Sequence, residues 1–366
     1  LRVRSLPTFL GVKAALRPRM TGRANIRIGL LAQGLTRDEA EALICRALTA
    51  SGVSERNAGS VARALVAAEI DGQKGHGFSR VAAYAAQTRS GKVSGAACPV
   101  ATRNGTARID IDARDGFAFP AIDLAIEELA TLTPEAGIAA AAIRRSHHCG
   151  QLGAHVERLA ERGMAALMVA NSPRAMAPWG GSAPLFGTNP IAFAAPRGEG
   201  QPPLVIDLSL SKVARGKVMA AAKAGTTIPE GWALDADGNP TTDPDAALKG
   251  TMVPAGDAKG AALALVVEIL AGTLTGANHS DEASSFFDAD GLPPGVGQMI
   301  LAFDTGRVGG AGFGARLETL LGAMLAQDGT RLPGQSRLKG RAVCAEEGVR
   351  VPGHLLEEIE TLAAAR

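Results

Sequence analysis

The stretch DGQKGHGFSR, Asp71 to Arg80, sets one of the chain's six histidines between two glycines and places an arginine four residues further on. If a helix begins near Gly75, His76 and Arg80 share one face. An imidazole exchanges a proton near neutral pH. A guanidinium grips a carboxylate through two parallel hydrogen bonds. Together they suit a small substrate with a carboxylate beside a reacting carbonyl or imine. Taken alone, the pair reads more simply as a helix-start histidine and a solvated arginine.

Four further stretches can hold a ligand. RRSHHCGQLG, from Arg144, follows an apolar strand-like run and leads into the helical pattern AHVERLAERG. Such a turn offers free N–H groups and the positive end of a helix dipole to phosphate. His147 and His148 point opposite ways if extended, and His155, His279 and His354 show no ligand spacing, so no metal site is expected. APWGGSAPLFGTNPIAFAAP carries Thr188 and Asn189, which can bond a ligand, although Asn-Pro is also ordinary turn chemistry. IDLSLSKVARGKV gathers Lys212, Arg215 and Lys217 behind Asp207, either an anion site or a solvated basic turn. Lys259 opens a helix against its dipole, a cost that a bound anion would offset.

These groups need elements to position them. Thr36 with Glu39 predicts a capping box at the start of a helix that Gly52 stops. Ser54 caps a second helix that ends at Gly72, and a third runs from about Ser79 to Arg89. ARIDID, GIAAAAIRRS, MAALMVANS, NPIAFAAP, PLVIDLS and MILAFD read as strands. AFPAIDLAIEELATL, LGAHVERLAERG and Gly312 to Gln327 read as helices, and DAKGAALALVVEILAGTLTG as a buried one. IPEGWALDADGNPTTDP and SSFFDADGLPPGVGQ read as loops. Strands alternating with helices predict an α/β protein with a buried sheet. No G-x-G-x-x-G follows a strand and opens a helix, so a Rossmann fingerprint is missing.

Composition narrows the class. With 366 residues, 46% hydrophobic and 20% charged, the chain can build a large core, divided between two domains. A net charge of +2 and 4% aromatics argue against nucleic acid. Four scattered cysteines without a C-x-x-C pair read as reduced thiols of a cytoplasmic protein. No apolar run approaches the roughly 20 residues of a membrane span. The first 37 residues hold eight basic residues and no acidic one, and residues 1–34 read as a disordered basic extension.

In order along the chain, DGQKGHGFSR, SHHCGQLGAHVERLAERGM, PWGG, PLFGTNPIAFAAP and IDLSLSKVARGKV resemble the malate/L-lactate dehydrogenase family of the non-Rossmann type. The resemblance runs from about Leu35 to the C-terminus; that family includes ureidoglycolate and sulfolactate dehydrogenases and reductases of Δ1-pyrroline-2-carboxylate and Δ1-piperideine-2-carboxylate. It implies an α/β (α+β) sulfolactate dehydrogenase-like fold: a helical domain plus a non-Rossmann α/β domain with a mixed sheet. Residues 35–90, about 255–290 and the C-terminal helices would form the helical, substrate-side domain. About 91–254 with about 295–305 would form the cofactor-binding domain. It also implies NADPH or NADH as cofactor, a homodimer with active sites near the subunit interface, and a small carboxylate as substrate.

Residue by residue, the resemblance makes His76 the proton donor, Arg80 the carboxylate clamp and His148 a second candidate for catalysis. Thr188, Arg215 and Gly216 would approach substrate. His148, Cys149, Gly150, Gln151, Leu152, Asp207, Leu208, Ser209, Lys259, Gly334 and Arg337 would lie at the cofactor, and no metal is implied. Two positions depart from the pattern. Gly75 stands where relatives keep a serine that orients the histidine, and Lys217 stands where the imino acid reductases carry an aspartate relay. The balance of motifs favours reduction of a cyclic imino acid, with a 2-hydroxy acid dehydrogenase of malate/L-lactate type as the alternative.

Overall fold

The computed structural model describes residues 34–365, so the extension read from residues 1–34 lies, Gly34 aside, outside the described residues. Helix α1 (Arg37–Thr49) opens on the expected capping box: the Glu39 N–H donates to Thr36 Oγ1 at 3.2 Å and the Thr36 N–H to Glu39 Oε2 at 2.9 Å. Ser54 caps α2 (Glu55–Ile70). The chain does not then enter a helix at Gly75. Two 3₁₀ turns, Lys74–His76 and Phe78–Arg80, precede α3 (Val81–Arg89). Gly77 separates them: a Cβ there would stand 2.2 Å from Glu69 Oε2, so a side chain would displace the carboxylate that accepts the Phe78 N–H at 3.2 Å.

Strand β1 (Val100–Arg103), which the sequence pattern does not reveal, leads to β2 (Arg108–Asp112), α4 (Ala118–Ala136) and β3 (Ile138–Ser146). Then come α5 (Gly153–Ala160), β4 (Met164–Ala170), β5 (Ile191–Ala195), β6 (Leu204–Leu208) and α6 (Arg215–Ala224). The segment read as a loop after Ile228 supplies β7 (Ala233–Leu234) and β8 (Pro240–Thr241), followed by α7 (Pro244–Lys249) and β9 (Thr251–Met252). Its turn residues form the bends of a small antiparallel sheet, ordered β8-β7-β9. Helix α8 (Asp257–Glu268) runs into a π-helical turn, Ile269–Thr273. Strand β10 (Val296–Asp304), α9 (Thr305–Gly309), α10 (Phe313–Leu325), α11 (Gln335–Glu347) and α12 (Gly353–Ala364) complete the chain.

The main sheet is mixed and seven-stranded, ordered β1-β2-β3-β10-β4-β5-β6, with β2 and β3 parallel and the other pairs antiparallel. Strand β10 lies between β3 and β4, with Leu301 opposite Ala140 on one side and Leu167 on the other. The alternation of β3 sorts its side chains. Ala139, Ala141 and Ile143 join the core formed with α4 and α5, while Ala142 faces the core shared with α8. Residues such as Ile122, Ile126 and Leu129 of α4 are fully buried there, each contributing about 1.5–3 kcal/mol. A separate core unites α1, α2, α3 and α12.

Helix α8 corrects one expectation. Its residues Ala264 and Val267 pack on the sheet, but Leu263, Leu265, Val266 and Ile269 are exposed. The helix is apolar all round, and the chain's own sheet covers one stripe of it.

Candidate active site

The turn between α2 and α3 is held from below. Glu69 anchors Phe78, and Ser79 Oγ donates to the Lys74 carbonyl at 2.8 Å. Burial raises the Glu69 carboxyl above its ordinary range. This frame presents His76, half-buried, beside Arg80, which is only 9% exposed. Arg80 donates from Nε to the Gly75 carbonyl at 2.8 Å, and its guanidinium lies 4.5 Å from the centre of the Phe287 ring. Among the described residues no carboxylate pairs with it. A buried guanidinium without a counter-ion is costly, and burial lowers its pKa.

The turn after β3 meets this loop. His148, buried, shares a hydrogen bond with His76, Nε2 to Nδ1 at 3.1 Å, and with the Tyr84 hydroxyl through Nδ1 at 2.6 Å. His147 is buried against Tyr84, Phe117 and Phe286, and neither ring nitrogen has a partner among the described residues. Burial first, then the Arg80 charge, pushes His76 down to about 4 and His148 well below its ordinary value. Burial pushes His147 to about 3. All three imidazoles are therefore neutral in the ligand-free protein near pH 7.

The segment expected as a loop before β10 covers the site. Phe286 packs on His147 and His148, with ring centres 5.3 and 5.2 Å away. Lys92, whose side chain is fully buried, pins Asp288 at 2.9 Å. Phe286 and Phe287 belong to SSFFDADGLPPGVGQ, a stretch that resembles the cyclic imino acid reductases, while Tyr84 and Lys92 carry no motif of their own. Tyr84 did leave one signal: it is the chain's only tyrosine, four residues beyond Arg80.

The residues tied by resemblance to the cofactor gather around β6. Gly153 donates its N–H to Asp207 Oδ2 at 2.7 Å, and burial raises the Asp207 carboxyl. A Cβ on Gly334 would lie 3.0 Å from the Val205 carbonyl, so α11 begins against the same strand. Ala255, just before α8 and Lys259, donates its N–H to the Leu210 carbonyl at 2.8 Å, and Leu210 in turn donates to the Thr188 carbonyl at 2.8 Å. Helices α5, α8 and α11 thus begin against β6 or the residues that follow it; Asp207 takes the first N–H of α5, while α8 and α11 have no side-chain cap. Open helix N-termini suit the phosphates of a dinucleotide. The residues present therefore fit the implied cofactor.

Not every candidate joins these two clusters. Arg337 is committed to Glu157 at 2.7 Å, in a network with Asp71, Arg341 and Gln151. Arg215 is half-buried and donates to the Leu248 carbonyl at 3.1 Å, with exposed Gly216 beside it in α6. No contact among the described residues joins them to His76 or Arg80. Among the described residues no group of three or more His, Cys, Asp or Glu could hold a metal ion.

Comparison with known proteins adds a line of evidence independent of this geometry. The family model for malate/L-lactate dehydrogenase matches residues 35–360. A (2R)-3-sulfolactate dehydrogenase (NADP(+)) from Chromohalobacter salexigens is 53% identical over 90% of this chain and 97% of its own length. A Δ1-pyrroline-2-carboxylate/Δ1-piperideine-2-carboxylate reductase from Pseudomonas putida is 41% identical over 88% and 95%. Among solved structures, Δ1-piperideine-2-carboxylate reductase from Pseudomonas syringae superimposes with a TM-score of 0.86 at 38% identity, over 90% of this chain and 99% of that one. Sulfolactate dehydrogenase from Methanocaldococcus jannaschii does so with 0.81 at 27%, over 90% and 97%.

Proposed function

The chain belongs to the malate/L-lactate dehydrogenase family and is an NAD(P)-dependent oxidoreductase, and from that premise we propose that it transfers hydride between nicotinamide and C2 of a small 2-oxo or 2-hydroxy acid. The observation that carries this is Arg80, buried, charged and without a carboxylate partner among the described residues. A substrate carboxylate would supply that partner and fix C2 in place. The nicotinamide supplies the hydride. His76 holds the proton that the substrate oxygen gains or loses. His148 has both ring nitrogens engaged by Tyr84 and His76, which leaves His76 as the group with a free nitrogen. Burial is the main cause that depresses His76 and the Arg80 charge the second; a carboxylate on Arg80 offsets the second and leaves the first in place.

The 2-oxo/2-hydroxy acid reading, with the 3-sulfopyruvate/3-sulfolactate pair first among substrates, draws support from the 53% identical relative. Gly75 and Lys217 also remove the serine and aspartate expected of an imino acid relay. Cyclic imino acid reduction is the second reading, favoured by the apolar wall of Phe286 and Phe287 and the relatives at about 40%. NADP is the proposed cofactor. Since Arg337 is committed to Glu157, exposed Lys339 in α11 is, among the described residues, a candidate cation there. The exposed apolar face of α8 supports a homodimer, checked by light scattering of the wild type and of Val266→Glu. A cytoplasmic location fits four unpaired cysteines and the absence, among the described residues, of a helix long and apolar enough to cross a membrane.

The test is a panel of 3-sulfopyruvate, oxaloacetate, pyruvate, Δ1-pyrroline-2-carboxylate and Δ1-piperideine-2-carboxylate with NADPH and NADH. A 2-oxo acid should lead the imines by roughly tenfold in kcat/KM. Imines leading by the same margin would install the second reading, and binding of NADPH with no turnover of any substrate would sink both.

A further inference from the structure

We propose that Tyr84 is a positioning residue of this site, acting through His148 to fix which nitrogen of His76 offers its proton to substrate. The proposal rests on the reading of His76 as proton donor given above. Three observations meet here. Tyr84 is wholly buried in α3, and among the described residues its hydroxyl bonds only His148 Nδ1, at 2.6 Å. His148 Nε2 lies 3.1 Å from His76 Nδ1. The residue before His76 is Gly75, where a Cβ would meet nothing within 4 Å, so no side chain from that position steers the ring.

The rest is donor and acceptor arithmetic. A neutral imidazole has one donor and one acceptor nitrogen. Burial keeps the Tyr84 phenol protonated and His148 neutral. The phenol has no other acceptor, so it donates to His148 Nδ1 rather than bury its proton unpaired. His148 then carries its proton on Nε2 and donates to His76 Nδ1. The proton of His76 is left on Nε2, the nitrogen free to meet a ligand. The reverse arrangement would leave the phenol proton without a partner and present a bare lone pair to an incoming carbonyl.

The same chain balances the reaction on a 2-oxo acid. As C2 gains its hydride, the carbonyl π pair moves to oxygen, and that oxygen takes the His76 Nε2 proton. His76 Nδ1 takes the proton of His148 Nε2, and His148 Nδ1 takes the phenol proton. One O–H bond forms on the product and one breaks on Tyr84. Burial disfavours the phenolate and the Arg80 charge offsets part of that, so the phenol remains a stronger acid than the alcohol formed but gives up its proton only as the product alkoxide takes one. Solvent returns the proton after release.

The test uses the full-length protein with ¹⁵N-labelled histidine. In ligand-free wild type, His76 should be the Nε2–H tautomer and His148 likewise. In Tyr84→Phe, which keeps the ring and removes the hydroxyl, both should become mixtures. The turnover number for the best 2-oxo acid should fall roughly 30-fold or more, with KM and the Kd for NADPH within about threefold. An Nδ1–H tautomer of His76 in the wild type overturns the proposal. So does a folded Tyr84→Phe enzyme whose kcat stays within threefold and whose His76 signals do not change. The tautomer measurement on wild type needs neither a folded variant nor a substrate. It therefore decides the proposal even where the substrate panel fails.

Discussion

Two arginine clusters, one half-buried and one buried, lie at opposite ends of the stretch from Asp71 to Arg80, and they treat the same charge in opposite ways. At one end Arg337 and Arg341 are matched by Asp71 and Glu157: Arg341 donates to Asp71 at 2.6 and 2.9 Å and to Glu157 at 2.7 and 3.0 Å. Gln151 completes that network with a 3.0 Å bond to Asp71. At the other end Arg80 has a carbonyl and an aromatic face but no anion among the described residues. A satisfied cluster ties helices together, here α2, α5 and α11. An unsatisfied one has a place for a ligand. Burial alone does not mark the active site; burial with an unmet charge does.

Mutations at the two ends should therefore differ in kind. Arg80→Ala should lower kcat/KM several hundredfold, on the order of 3–4 kcal/mol for a lost charged contact, and leave the melting temperature unchanged or raised. Glu157→Gln, at the satisfied end, should cost about 3 kcal/mol in denaturant unfolding because it leaves the half-buried Arg337 with only the longer contact to Asp71, 3.7 Å away. Its kcat/KM should stay within roughly threefold of wild type. If Arg80→Ala were the destabilising change and Glu157→Gln the inactivating one, the comparison would be inverted.

Acid sharpens the contrast. Burial holds His147 at about 3 and His155 at about 4, against 6.5 for a free histidine. The unfolded chain binds these protons first, so their stabilising effect is complete above pH 6.5 and fades as the pH falls toward 4. At pH 5 each should cost about 2 kcal/mol, read as a lower urea midpoint than at pH 7. The smallest effect expected is that of Gly75→Ser. The position has open space and an ordinary φ, and the Tyr84 chain already orients His76. Activity within roughly threefold of wild type is the expected outcome, checked by steady-state kinetics.

How much of this the sequence discloses depends on the range of the interaction. The caps at Thr36 and Ser54 and the strands flanking β10 follow from local periodicity, because neighbours within a few residues decide them. His76 and Arg80 stand out as unusual residue types at close spacing. The small sheet is hidden by its turn residues, and β1 by its short exposed run. The face of α8 is hidden because an all-apolar helix does not say which side is covered. The distinction between the two arginine ends is not legible either, since Arg341 meets Asp71 across 270 positions and Gln151 meets it across 80. Tyr84 reaches His148 across 64, and only its rarity pointed to it.

The central claim is that Arg80 exists to receive the substrate's carboxylate. It is tested most directly by comparing kcat/KM for the preferred 2-oxo acid with that for its carboxamide, in wild type and in Arg80→Ala. Wild type should prefer the acid by roughly a hundredfold or more, and the preference should collapse to within about threefold in the variant. A preference that survives undiminished without Arg80 would contradict the account.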